Sequence, residues 1–106
     1  YTTATYPFGE GTLVYKVRDK MFALITEDND PQRLNLKCDP EDAKALRAEH
    51  DAIIPGYHMN KKHWNSLILN GNLSNDITFE LIDHSFKLVV NNLKKVERDR
   101  VLKKIG

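Results

Sequence analysis

The 106-residue sequence holds a single cysteine, Cys38, so no disulfide can form within the chain and a reducing compartment suits it. No apolar run approaches the roughly 18–20 residues that cross a bilayer. The opening Tyr1-Thr-Thr-Ala-Thr-Tyr-Pro-Phe lacks the charged and apolar regions of a secretory signal. A soluble cytoplasmic protein without membrane contact is therefore expected. Glycine is scarce, at five residues, and falls into no Gly-x-Ser-x-Gly, phosphate-cradling or dinucleotide pattern. Gly9-Glu-Gly11 reads as a loop before a strand. The ligand-type residues Cys38, His50, His58 and His63 include no Cys-x-x-Cys or close histidine pair, so no metal site is expected. The acids Glu41, Asp42, Glu49 and Asp51 interleave with Lys44 and Arg47, a pattern that suits pairing within a helix better than a cation site. Asp83-His84-Ser85 holds the residue types of a hydrolase triad, but consecutive helical residues point about 100° apart and cannot converge. There His84 reads as a surface residue and Ser85 as a small packing residue. A non-enzymatic protein with no cofactor follows.

The length fits one domain over residues 1–106 with one core. Thr12–Arg18 and Met21–Glu27 are rich in β-branched and aromatic residues on either side of Asp19-Lys20, and predict a hairpin over roughly 12–27. Asp28-Asn-Asp-Pro31 marks a turn, and Leu34, Leu36 and Cys38 alternate along a third strand. Asp39-Pro40-Glu41-Asp42 combines a capping residue, a first-turn proline and acids at a helix start, predicting a short helix over Pro40–His50. Ile53-Ile-Pro-Gly-Tyr57 then turns the chain, and His63–Leu69 reads as another strand. Ser74, Asn75 or Asp76 can cap a long helix with Leu81, Ile82, Ser85, Val89, Leu93 and Val96 on one stripe. A break near Lys94-Lys95 precedes a terminal helix whose apolar face is Val101, Leu102 and Ile105. The expected architecture is α+β, a two-layer domain in which an antiparallel meander sheet of about five strands carries a short crossing helix and a long C-terminal helix.

Charge is balanced in total, with 16 Lys+Arg against 15 Asp+Glu, yet unevenly placed. Residues 26–52 are dominated by acids. Residues 87–106 carry Lys87, Lys94, Lys95, Arg98, Arg100, Lys103 and Lys104 against only Glu97 and Asp99. Such polarity attracts an anionic partner locally even at a net charge of +1. The densest constellation is His58-Met-Asn-Lys-Lys-His-Trp64, which follows a Pro-Gly turn. Lysines supply charge to phosphates while an aromatic and an amide can stack on or hydrogen-bond a base, a composition suited to nucleic acid. Trp64 can anchor the strand from inside while Lys61, Lys62 and His63 reach outward.

Taken together, Lys16-Val-x-x-Lys20-Met-Phe-Ala, Leu36-Lys37-Cys38 before an acid-capped helix, Ile54-Pro-Gly-Tyr-His-Met-Asn-Lys-Lys-His-Trp64 and Asp83-His-Ser-Phe86 resemble the MmcQ/YjbR family across nearly the whole chain. The resemblance implies a CyaY-like, double-wing DNA-binding fold of bacterial proteins with no established catalytic set. It carries over Lys37, His58, Asn60, Lys61, His63 and Trp64 as the nucleic-acid-binding set, to which charge adds Lys62. It also implies a helix ahead of the first strand, for which Tyr1 onward offers no counterpart. DNA is the expected partner. The alternative is a protein-interaction module that docks an acidic partner through the His58–Trp64 loop or the basic C-terminal helix.

Overall fold

The computed structural model describes residues 2–27, 31–56 and 60–105, with side chains described to Lys103. The strands are β1 (Thr2–Thr5), β2 (Thr12–Val17), β3 (Lys20–Thr26), β4 (Arg33–Lys37), β5 (Ile53–Pro55) and β6 (Trp64–Ile68). The helices are α1 (Pro40–Glu49), α2 (Asn75–Asn91) and α3 (Lys95–Ile105). All strands pair antiparallel in the order β1-β2-β3-β4-β6-β5. The two-layer α+β expectation is borne out. The meander, however, runs only from β1 to β4; the chain then crosses through α1 to the far edge and β6 returns between β4 and β5.

Local chemistry explains the elements. The Asp39 carboxylate accepts from Glu41 N at 3.0 Å, Pro40 occupies the first turn where no amide partner is needed, and Glu41 and Asp42 face the positive end of the α1 dipole. Ser74 caps α2 by accepting from Ile77 N at 3.2 Å. The β2–β3 turn has two residues, Arg18 and Asp19, with φ of 49° and 68° between the paired Val17 and Lys20. Two positive φ angles give the twist that a two-residue hairpin needs, at a cost that glycine or asparagine would reduce.

One sheet face and the helices enclose the core, in which Leu34, Leu36, Ile53 and Leu67 meet Val89, Val90, Leu93 and Val101. A register shift beside Tyr15 and Lys16 leaves Phe22 as an extra residue of β3. Phe22 reaches the core and packs edge-on against Phe86, ring centroids 5.2 Å apart. Ser85 ties the two layers together. Its hydroxyl, fully buried, donates to Phe22 O at 2.6 Å and accepts from Lys37 N at 2.9 Å. On the sheet the buried Asn35 amide oxygen accepts from the Ser66 hydroxyl across the β4–β6 pair.

Several expectations are corrected. β1 was not foreseen, because Thr2–Thr5 is exposed throughout and shows no buried alternation. Ile53–Pro55, read as part of a turn, is an edge strand, where a proline without an N–H is tolerated. Val96 belongs to α3 and is 64% exposed, whereas the α2 stripe ends with Val89 and Leu93 follows the helix into the core. In α3, Val101 is buried and Leu102 exposed. The turn expected at Asp28–Pro31 lies, Pro31 apart, outside the described residues.

Candidate functional site

The β2–β3 turn, the C-terminal end of β4 and the N-terminal end of β6 lie at one end of the sheet, fixed by the Val17–Lys20 and Lys37–Trp64 pairs. Residues 60–63, just before β6, turn back on themselves at this end. Asn60 O accepts from His63 N at 3.2 Å and from Trp64 N at 2.9 Å, while the Asn60 side-chain oxygen accepts from Lys62 N at 2.9 Å. His63 O accepts from Cys38 N at 2.8 Å, which seats the loop on the residue after Lys37. Gly56 N donates to Trp64 O at 2.9 Å, and Lys61 Nζ donates to Gly56 O at 3.4 Å.

These bonds decide what each predicted residue presents. Lys61 and Lys62 are exposed, His63 and Lys37 are half-buried, and Trp64 is 9% exposed, anchoring the strand. Lys37, Asn60, Lys61, Lys62, His63 and Trp64 are thus brought to one place. His58 lies outside the described residues. Two residues missed by sequence reasoning join them. Lys20 and Asn92 line, with Lys37, Met21 and Val89, a cavity of about 270 Å³ between the sheet end and the C-terminus of α2. Lys20 stood in the quoted Lys-Met-Phe-Ala block, but only the strand register shows that it shares a cavity with Lys37.

The basic C-terminal stretch is partly used up in pairing. Lys87 Nζ lies 2.8 Å from Asp83 Oδ2, Arg98 pairs with Asp99, and Glu97 reaches back to Arg18 of the β2–β3 turn at 3.6 Å. Asp83, His84 and Ser85 do not assemble into a triad, since Asp83 faces Lys87 and Ser85 is bound to Phe22 and Lys37. Among the described residues, no three histidine, cysteine or acidic side chains are placed to hold one metal ion. No described helix is long and apolar enough to cross a membrane.

A family model described as YjbR matches residues 1–88. The chain belongs to the YjbR family. The uncharacterised Escherichia coli O157:H7 protein YbdF is 38% identical over 96 residues, covering 91% of this chain and 79% of that protein. The uncharacterised YjbR protein of Escherichia coli K12 is 36% identical over 83 residues, 78% of this chain and 70% of its own. A crystal structure of a Deinococcus radiodurans protein with a DUF419 domain superposes with a TM-score of 0.88 at 41% identity, covering 93% of this chain and 76% of that one. A Pseudomonas syringae protein superposes with a TM-score of 0.72 at 32% identity, covering 82% of this chain and 86% of that one.

Cys38 of this YjbR-family chain is buried, and burial with the nearby Asp42 and Asp39 carboxylates pushes its thiol up to about 11. The thiolate is the reactive form, so the folded chain is expected to react with iodoacetamide at about pH 8 at least tenfold more slowly than the urea-unfolded chain. Mass spectrometry of the alkylated fraction checks this. The same shift sets a sign for stability. The unfolded thiol ionises first, so the folded state loses stability as pH rises from about 9 toward about 11.

Proposed function

We propose that this YjbR-family domain is a non-enzymatic DNA-binding protein that contacts the phosphate backbone with the loop end of its sheet. The observation that carries the reading is the convergence of lysines from separate segments: Lys20 and Lys37 in one cavity, beside the loop that exposes Lys61 and Lys62. Lys37, Lys61 and Lys62 neutralise phosphates, Lys20 extends the strip, and His58, Asn60 and His63 position or read the strand. Trp64 holds the loop from beneath. The near-neutral total charge means that this local strip, and not the whole molecule, supplies the attraction.

Fluorescence anisotropy with labelled duplex and single-stranded DNA over a salt series tests it. The parent is expected to bind with a clear log-salt slope, and a folded Lys61→Glu/Lys62→Glu variant to bind more weakly with a slope smaller by about two. Absence of binding at low salt would contradict the reading. The competing view is a protein-docking module, favoured by Val96 and Leu102 standing 64% and 44% exposed on the basic α3. It predicts that an acidic protein partner is retained in the presence of excess DNA.

A further inference from the structure

The chain has one Asn-Gly step, Asn70-Gly71, in the turn that joins β6 to α2. Asn70, Gly71 and Asn72 are all exposed. Gly71 has a φ of +88°, a conformation that residues with a Cβ rarely adopt, and the space where a Cβ would stand is open. Among the described residues its N–H donates to no acceptor, whereas the amides on either side are bonded. Asn70 N donates to Ile68 O at 2.9 Å, and Asn72 N donates to the Asn70 side-chain oxygen at 3.1 Å.

The bond from Asn72 N has a chemical consequence. It closes a ring of atoms that contains both Gly71 N and Asn70 Cγ, so a nucleophile and the carbonyl carbon it can attack are held within one turn. The Asn72 N–H also sits on the oxygen that gains negative charge when Cγ becomes tetrahedral, the part that an oxyanion-binding donor plays in acyl transfer. No side chain on Gly71 blocks that approach.

We propose that Asn70 is a site of spontaneous deamidation through a cyclic imide, promoted by this turn. Hydroxide takes the proton from Gly71 N, which attacks Asn70 Cγ. The N–Cγ bond forms, the Cγ–Nδ2 bond breaks, and the leaving nitrogen takes a proton from water to depart as ammonia. Water then opens the imide at either carbonyl. Cleavage of the new N–Cγ bond leaves aspartate, and cleavage at the original backbone carbonyl leaves isoaspartate. The aspartate product keeps an acceptor for Asn72 N, and either product removes one unit of net charge from a chain that carries +1. Isoaspartate lengthens the β6–α2 connection by one methylene and leaves a free α-carboxylate on exposed chain, the group that an isoaspartyl carboxyl methyltransferase takes up. The turn follows the end of β6 opposite to Trp64, so the site uses none of the lysine strip and is independent of the DNA reading.

Incubation of the full chain at body temperature and mildly alkaline pH, followed by peptide mass mapping, tests the proposal. The peptide carrying Asn70 is expected to gain one mass unit, as NH2 gives way to OH, and to accept methyl groups from an isoaspartyl methyltransferase. Asn65, 2% exposed in a paired strand, is expected to react about tenfold or more slowly, because its ring closure waits on opening of the sheet. Asn70→Gln, which needs a larger ring, is expected to lose the mass gain at this site. A linear peptide of residues 68–73 isolates the contribution of the turn, and the folded chain is expected to react at least as fast. A folded chain slower than the peptide would overturn the promotion by the turn. A gain that persists in the Asn70→Gln variant would place the reaction at Asn72 and overturn the site.

Discussion

Replacing Ser85 by alanine is expected to lower the unfolding free energy by about 2–4 kcal/mol, because two backbone groups lose their partner at once. Phe22 O and Lys37 N lie one step beyond the Ala23–Leu36 pair, where the β3–β4 register ends, and the Ser85 hydroxyl bridges them from α2. Ser85 is fully buried, so water cannot take over either bond without opening the interface between sheet and helix. Each unsatisfied buried group costs about 1–3 kcal/mol, while the lost hydroxyl oxygen adds only a small void. For a domain whose whole stability is about 5–15 kcal/mol, that is a large fraction. Urea denaturation followed by tryptophan fluorescence checks it. A loss below about 0.5 kcal/mol would mean that the bridge contributes little. The effect bears on function as well as folding, since the amide held by Ser85 belongs to Lys37.

Leu36→Ala is expected to cost about 2–5 kcal/mol, the range of large-to-small changes in a closely packed core. Leu36 is 2% exposed and sits in the cluster shared by β4, β6 and the helices, next to the strand end that carries Lys37. The magnitude comes from lost transfer energy together with the cavity left where the surrounding sheet cannot collapse. Thermal unfolding reads the loss as a fall in midpoint of roughly 4–8 °C per kcal/mol for a chain of this size. A fall of only a degree or two would place Leu36 outside the rigid core.

How much was legible in the sequence divides by the range of the interaction. Asp39-Pro40-Glu41 fixes the start of α1 through contacts a few residues long, and the structure places the cap where that chemistry requires. The β2–β3 hairpin and the Leu81–Val89 stripe were equally readable, because burial imposes a period on neighbouring residues. β1 was not, since an exposed edge strand of threonine and alanine is held by backbone pairing that leaves no apolar pattern. The insertion of β6 between β4 and β5 was hidden for the same reason: strand order is decided by which long-range pairs pack best. Ser85 read as a small packing residue, and its size is right, but its bonds to Phe22 and Lys37 cross the whole sheet-to-helix interface. The loop lysines could be named from local composition, whereas Lys20 and Asn92 join Lys37 only through register and helix placement. That Asp42, Glu49, Glu80 and His84 line one cleft was invisible, because α1 and α2 each look like ordinary amphipathic helices until they are set side by side.

The measurement that tests the central claim most directly is an amide chemical-shift titration of the isotope-labelled chain with a short duplex DNA at low salt. The lysine-strip account predicts fast-exchange shifts at Lys20, Met21, Lys37, Asn60 through Trp64 and Asn92, shrinking together as salt is raised. Shifts confined to α3, or no shifts at all, would contradict it.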